Sequence, residues 1–459
     1  MNSWIGDRKF YRMAFHTAIP IVIQQLVTSF VSMLDNIMVG QVGTLQMSAV
    51  SIANQLLNIF MLAVFGTVTG AGIYGAQFAG KQDWENDRKV LRFKLVLTGI
   101  ITLGFMNVYG FFGKQLLGTF MNPDTNSPSD ISRTMSYASS YLYIMLVGMI
   151  AYYLSQTLAS SIRETGETVL PMISSIVAVA VNFIFNSILI FGLLGFPAMG
   201  VSGAAIATVL SRFAELAIIV AGAYRSREHF PFFQNVFDEF TIGKKLAKDI
   251  FLRALPLIGN ETLWSFGLAA ITQCYSTRGL DGIAAYNISN TIASLFNAVY
   301  IGSGSAISIL TGHRLGAGDN DGAFSTARRM TVLIFTICIG VGILLFFTAP
   351  VFPSFYNTSD HVRLLATQLL RITAVFIPVQ SLYNSFYFIL RSGGKTVITF
   401  FFDSFYTCTV SLGTAYVLSR FTSLSLLQMF MVVTAMDILK VIIGFILVQK
   451  RVWIQNLTE

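Results

Sequence analysis

The chain has 459 residues, of which 54% are hydrophobic and 11% are charged, and its formal net charge is +8. Soluble domains carry about 25% charged residues, so this composition excludes a water-soluble globule and a disordered chain, and it argues against a disulfide-rich secreted scaffold. The mean hydropathy of +0.66 indicates a polytopic membrane protein.

Apolar stretches long enough to cross a bilayer recur along the whole chain. A transmembrane helix needs about 20 predominantly apolar residues. This window predicts an all-α membrane protein with twelve transmembrane helices, which lie near residues 14–38, 48–78, 93–120, 134–160, 169–192, 200–224, 251–275, 283–310, 329–352, 363–389, 397–419 and 424–448.

Lysines and arginines are distributed unevenly between the two sides of the predicted bilayer. With the N-terminus placed in the cytoplasm, 22 of them fall in cytoplasmic segments and 5 in external loops. Cytoplasmic loops of membrane proteins carry an excess of basic residues. The asymmetry predicts a multi-pass protein of the cell membrane with both termini in the cytoplasm, and it explains the positive net charge without a nucleic-acid partner.

The two halves of the chain repeat one another. A shift of 236 residues superimposes Pro20 on Pro256, and the alignment continues without a gap for 64 residues. Further along, RETGETV from Arg163 aligns with RSGGKTV from Arg391. Both copies start on the same side, so we expect parallel six-helix lobes, which is a transporter architecture. The predicted domains are an N-lobe at 1–224 with helices 1–6, a cytoplasmic linker at 225–250, and a C-lobe at 251–459 with helices 7–12.

Asp35 is flanked by apolar residues within the first predicted helix. It lies about 33 Å from the cytoplasmic end of that helix at about 1.5 Å per residue. Charged side chains at such depth are costly and usually face a cavity or a partner. Since desolvation disfavours a bare carboxylate, we expect Asp35 to exchange a proton for sodium or for a cationic substrate. The alternative is a helix-end carboxylate near the outer headgroups.

Asn182 and Asn186 follow in the fifth predicted helix. Their i, i+4 spacing puts both amides on one face, where their oxygens suit either coordination of a cation such as sodium, together with Asp35, or a hydrogen-bond chain to Asp35. Interhelical hydrogen bonding is an equally good interpretation of this spacing. In the next helix Arg212 and Glu215 are three residues apart, and the spacing predicts an ion pair; Asp437 and Lys440 repeat it in the last helix.

Two further acids lie in predicted helices of the second half. Glu261 is followed three residues later by Trp264. A carboxylate beside an aromatic ring predicts a clamp for a flat organic cation, and the alternative is a buried acid paired with a nearby donor. Asp403 lies among aromatic residues and is either a second protonatable site or the partner of Arg371 in a structural ion pair.

The sequence shows no motif for ATP hydrolysis or metal binding. It lacks the GxxxxGK[ST] phosphate-binding loop, which argues against an ATP-driven pump, and its four histidines show no metal-ligand spacing. The glycines of GAGIYGAQFAG predict close helix packing rather than phosphate binding. Three cysteines lie in apolar segments and are expected to be reduced: Cys274, Cys338 and Cys408.

Several stretches together resemble the multidrug and toxic compound extrusion (MATE) family, over essentially the whole chain. They are VGQVG at 39–43, AVSIANQ at 49–55, GAQFAGKQD at 75–83, RETGET at 163–168, VNFIFNSILIFG at 181–192, MGVSGAAIATVLSR at 199–212 and LRSGGKT at 390–396. The resemblance implies a V-shaped pair of lobes around a central cavity. It also implies export of organic cations or drugs in exchange for protons or sodium ions, with no other cofactor.

The resemblance also assigns residues to sites. Its cation-coupling site would comprise Asp35, Asn182 and Asn186, with Thr208 from helix 6 and Tyr141 from helix 4. In the C-lobe, the helix 7 glutamate of some relatives falls at Trp264 and a helix 10 aspartate at Gln380, so we expect the N-lobe to dominate coupling. Four residues of the C-lobe are therefore expected to bind substrate rather than the coupling ion: Glu261, Trp264, Asp403 and Gln380.

The expected partners are small amphipathic cations and the lipid bilayer, and we expect a monomer. A lipid-linked oligosaccharide flippase of the same wider fold is the alternative, but it would need a basic cavity for pyrophosphate, whereas the mid-membrane charges are mostly acidic. A membrane enzyme would need a histidine, aspartate or metal constellation that the sequence does not show, so no enzymatic activity is expected.

Overall fold

Long helices account for nearly all of the chain. The structure is a computed structural model, and it describes residues 4–121, 128–236, 238, 241–356 and 358–458. Within these ranges the secondary structure is helical, without strands, and twelve long helices follow one another: α1 (Arg8–Gly40), α2 (Thr44–Lys81), α3 (Trp84–Gly118), α4 (Pro128–Glu164), α5 (Val169–Phe191), α6 (Gly200–Arg225), α7 (Lys244–Ser276), α8 (Leu280–Gly316), α9 (Asn320–Thr348), α10 (Asp360–Ser392), α11 (396–421) and α12 (Leu426–Gln449).

Each of the twelve predicted spans corresponds to one helix, so the predicted fold class is confirmed. Ten of the helices found in the described ranges are long and apolar enough to cross a membrane. The other two are α7 and α11, which carry Glu261 and Asp403. α11 is irregular, since Phe401–Phe405 and Thr407–Ser411 form π-helical turns, and α12 is interrupted at Met436.

The chain forms two compact units. The first unit comprises residues 27–75 and 84–249, and the second comprises 1–26, 76–83 and 250–459. The units follow the predicted repeat except that the start of α1 and the end of α2 pack with the second half. The domain bounds 1–224, 225–250 and 251–459 therefore stay a prediction from the repeat.

Two glycines related by the repeat allow α2 and α8 to approach closely within the second unit. A Cβ on Gly80 would collide with the backbone of His313, and a Cβ on Gly316 would collide with the backbone of Gln77. Small residues permit such backbone contacts between membrane helices. The predicted packing function of the GAQFAG glycines is therefore confirmed for Gly80.

The predicted linker is packed against the first unit. Arg92 on α3 donates hydrogen bonds to the carbonyl oxygens of Val236 (2.6 Å), Asn235 (3.0 Å) and Thr241 (3.2 Å), and Phe232 is fully buried. Because one guanidinium carries five N–H donors, a single side chain holds several turns of this segment. The polar composition of 225–250 did not predict this anchoring.

The second unit has an apolar core that extends to the end of the chain, where Trp453 is fully buried. The three cysteines are unpaired, as predicted, and Cys274 and Cys338 are buried in this core.

Candidate functional site

Asp35 is joined by hydrogen bonds to the polar face of α5 inside the first unit. Asn186 Nδ2 donates to Asp35 Oδ1 (2.6 Å) and to Asn182 Oδ1 (3.0 Å). Asn182 Nδ2 donates in turn to Thr208 Oγ1 on α6 (3.3 Å). Four side chains thus link α1, α5 and α6 in one continuous polar chain.

Local sequence explains much of this arrangement. Asn182 and Asn186 share one face of α5 because of their i, i+4 spacing, and they are only 4% and 1% exposed. α6 comes close to α5 because Gly203 has no side chain; a Cβ there would lie 2.6 Å from the carbonyl oxygen of Leu189. This close approach brings Thr208 beside Asn182.

Tyr141 on α4 completes the group. Its side chain is buried, and its hydroxyl lies within electrostatic reach of Asp35 and next to Thr208 and Asn54. The structure thus brings together the five residues assigned to the coupling site. Asn54 on α2 also belongs to this group, although it was not assigned to the coupling site from the sequence. The feature that could have identified it is a polar amide within an apolar helix.

One hydrogen-bond acceptor in this cluster is unsatisfied. Asn186 Oδ1 is buried and has no hydrogen-bond partner among the described residues. Leaving a buried acceptor unpaired costs about 1–3 kcal/mol, so this position favours a donor or a cation. With the Asp35 carboxylate nearby, the cluster can hold one proton or one monovalent cation.

An ion pair adjoins the cluster without changing its net charge. Arg212 Nη1 lies 3.1 Å from Glu215 Oε2, which confirms the predicted pair, and Ser175 donates to the other carboxylate oxygen (3.0 Å). The guanidinium also lies 5.3 Å from the ring centroid of Tyr152. The Arg212 and Glu215 charges are thus paired with each other, and Asp35 is the carboxylate of the hydrogen-bonded cluster.

In the second unit, Glu261 is hydrogen-bonded to a donor on another helix. Its Oε1 accepts a hydrogen bond from Tyr387 (3.2 Å), and Arg391 lies within electrostatic reach. Trp264 is 38% exposed. The described contacts of Glu261 therefore match the alternative, an acid paired with a nearby donor, and the aromatic clamp with Trp264 stays a prediction.

The predicted partners of Asp403 and Asp437 were wrong. Asp403 Oδ1 pairs with Lys440 Nζ (2.7 Å) rather than with Arg371, whose guanidinium lies over the Phe346 ring (5.4 Å).

Asp437 instead accepts a hydrogen bond from Gln380 Nε2 (3.4 Å). The i, i+3 spacing puts Asp437 and Lys440 on one face of their helix. Asp403 on the neighbouring helix α11 lies closer to the lysine, however, and Lys440 bonds to it directly.

A buried ion pair in the first unit was missed. Lys94 Nζ donates to Glu164 Oε1 (2.7 Å) and to Ser161 Oγ (3.1 Å), and the lysine side chain has no exposed surface. Lys94 was counted among the cytoplasmic basic residues at the start of the third predicted helix. It lies within α3, and the glutamate has room because Gly72 and Gly75 on α2 have no side chains.

The chain is similar to known proteins along most of its length. The MatE family profile matches residues 20–188 and 256–417, once in each repeat. A probable multidrug resistance protein NorM of Thermotoga maritima is 24% identical over 427 residues, which cover 89% of this chain and 86% of the relative. A second NorM, from Halalkalibacterium halodurans, is 24% identical over 407 residues, which cover 88% and 86%.

A solved structure shares the fold. It is described as the outward-facing conformation of a multidrug resistance MATE family transporter of the MOP superfamily; its TM-score is 0.87 at 19% identity, and the match covers 98% of this chain and 96% of that one. This likeness supports twelve helices in two lobes. The comparisons do not favour the alternative of an oligosaccharide flippase.

Proposed function

Because the chain belongs to the MatE family, we propose that it is a secondary antiporter that exports small organic cations in exchange for protons or sodium ions. It is a transporter rather than an enzyme. The observation that carries the proposal is the contact of Asp35 with Asn186, whose own Oδ1 lacks a hydrogen-bond partner among the described residues. The names of its relatives, probable multidrug resistance proteins, support the drug-like substrate class.

The coupling step follows from charge. The Arg212 and Glu215 charges cancel, and the cluster has one carboxylate, so its net charge alternates between −1 and 0. One proton or one sodium ion neutralises Asp35 in each cycle. The neutral site lets the α1 region move inward and narrow the substrate cavity, whereas the charged site favours the open, substrate-accepting state.

Export of ethidium tests this function and identifies the coupling ion. Inverted membrane vesicles containing the protein are given an imposed proton gradient or sodium gradient separately, and dye accumulation is followed by fluorescence. One of the two gradients should drive uptake, and collapsing it should stop uptake. Uptake that depends on neither gradient would contradict secondary antiport.

The proposed orientation has both termini in the cytoplasm. Ser127→Cys and Asn357→Cys, at positions outside the described residues, should react with a membrane-impermeant maleimide added to intact cells. Gln82→Cys, at an exposed turn after α2, should react only after the membrane is opened. The wild type, with its own three cysteines, sets the background, and labelling of Gln82→Cys in sealed cells would reverse the orientation.

We assign Glu261 to substrate contact rather than to ion coupling; the sequence named Trp264, Asp403 and Gln380 as the other candidates, and of these Asp403 is bonded to Lys440. Glu261→Gln removes the charge but keeps an acceptor for Tyr387, so gradient-driven export should persist while the relative export of different cations changes about tenfold, equivalent to about 1.4 kcal/mol. Resistance profiles for several cationic drugs measure this. Loss of export of every drug at normal expression would show that Glu261 takes part in coupling.

A further inference from the structure

Lys440 is buried inside the second unit, although an ammonium group is normally strongly hydrated. The side chain is 4% exposed, and its Nζ lies 2.7 Å from Asp403 Oδ1. Ionisable groups within membrane helices are costly, and they commonly mark functional sites. The groups that surround this ammonium show what kind of site it occupies.

Three aromatic rings face the ammonium. Its Nζ lies 4.5 Å from the ring centroid of Tyr383, 5.6 Å from that of Phe402 and 5.8 Å from that of Tyr406. Aromatic faces attract cations within about 6 Å, and proteins recognise ammonium ligands with such rings. We call the Asp403 carboxylate together with these three rings the ammonium cage.

Contacts that do not involve Lys440 hold the carboxylate of the cage. Asn260 Nδ2 on α7 donates to Asp403 Oδ2 (3.1 Å), and the oxygen of the same amide accepts from Ser404 Oγ (2.7 Å). Asp403 also lies in the π-helical turn Phe401–Phe405, a geometry that is frequent at functional sites.

One ring of the cage is tied to the break in α12. Tyr406 donates from its hydroxyl to the carbonyl oxygen of Met436 (2.7 Å), which lies where the helix is interrupted. The rings of the cage come from α10 and α11, and bonds to α7 and α12 hold Asp403 and Tyr406 independently of the ammonium.

A second carboxylate borders the cage. Asp437 lies within electrostatic reach of both Lys440 and Asp403, and it is half-buried. Its neighbour Gln380 has a buried Oε1 without a hydrogen-bond partner in the described part of the chain. Lys440 thus bonds directly to one carboxylate and lies within electrostatic reach of a second.

We propose that Lys440 is a built-in ligand, whose ammonium occupies a binding site for primary ammonium cations and so confines cation exchange to the Asp35 site. The confinement of cation exchange to the Asp35 site rests on the proposed antiport function. The existence of the ammonium-binding site does not depend on that function. Without the lysine, the ammonium cage has the charge and the aromatic faces to bind a primary alkylammonium from solution.

Chemical rescue of Lys440→Ala tests the site without a transport assay. n-Propylammonium carries the three carbons and the ammonium that this substitution removes, so it fits the vacated space. Millimolar n-propylammonium should raise the melting temperature of the purified variant by several degrees, because a ligand that binds only the folded state stabilises it. Tetramethylammonium, which lacks N–H donors for Asp403, should raise it less.

Three controls separate this site from general salt effects. The wild type, Lys450→Ala at the exposed end of α12, and Lys440→Ala/Asp403→Asn should show no shift with n-propylammonium beyond that with sodium chloride. Equal shifts in all four proteins would overturn the proposal. If Lys440→Ala is recovered folded only when n-propylammonium is present throughout purification, the proposal is supported; failure to recover it in either buffer counts against the site.

The outcome is independent of the function test. Failure of ethidium export would refute antiport and leave the thermal shift unchanged. Absence of the thermal shift would refute the ammonium cage and leave the Asp35 mechanism intact.

Discussion

Asp35→Asn should reduce drug resistance to the level of cells that lack the protein, although the variant folds and inserts normally. Asparagine has nearly the same shape as aspartate, and its side-chain oxygen can still accept the hydrogen bond from Asn186 Nδ2. The substitution removes only the negative charge. The coupling site would then remain permanently neutral, and no ion could drive the return to the substrate-accepting state.

The measurement compares minimum inhibitory concentrations of cationic drugs in cells that make equal amounts of each protein. Asp360→Asn is the matched control, because the side chain of Asp360 is 98% exposed and forms a surface ion pair with Arg363; it should retain full resistance. Asp35→Glu keeps the charge on a longer arm and should retain partial activity with a shifted pH optimum. Equal resistance of Asp35→Asn and the wild type would refute this mechanism.

The coupling site also predicts the effect of a second carboxylate. Asn186 Nδ2 donates to both Asp35 and Asn182, so Asn186→Asp would replace a donor by a negative charge beside Asp35. Two adjacent carboxylates favour a bound cation more strongly than one. We therefore expect Asn186→Asp to lower the sodium concentration that gives half-maximal ethidium export in inverted vesicles, relative to the wild type.

Lys94→Met should lower the free energy of unfolding by about 3–5 kcal/mol, because breaking a buried ion pair by removing one partner is strongly destabilising. Glu164 accepts hydrogen bonds from Lys94 and from Ser160, and its carboxylate lies against α2 at Gly72 and Gly75. Thermal denaturation in detergent, followed by loss of monodisperse protein, measures the effect.

A surface pair provides the control for this prediction. Lys89 lies 2.8 Å from Glu85, whose side chain is 76% exposed; because solvent screens such pairs, Lys89→Met should cost about 0.5 kcal/mol or less. Lys94→Met/Glu164→Gln should recover most of the lost stability, since neither charge then remains. If Lys94→Met and Lys89→Met denature alike, the Lys94–Glu164 pair is not a structural determinant.

Features that depend on local pattern were predictable. The twelve helices follow from apolar runs, because every backbone polar group in a bilayer must be paired within its own segment. The shared face of Asn182 and Asn186 and the Arg212–Glu215 pair follow from helical spacing, and their geometry agrees with it. Asp35 was identifiable because a lone acid in an apolar helix is costly.

Contacts between helices depended on the tertiary structure. Lys440 is three residues from Asp437 but bonds directly to Asp403 on another helix, and Lys94 pairs with Glu164, 70 residues away. Helical periodicity specifies which residues share a face, but it does not specify which face meets which neighbour. That choice depends on helix rotation and close approach, which are set by small residues such as Gly203 and Gly316 packing against neighbouring backbone.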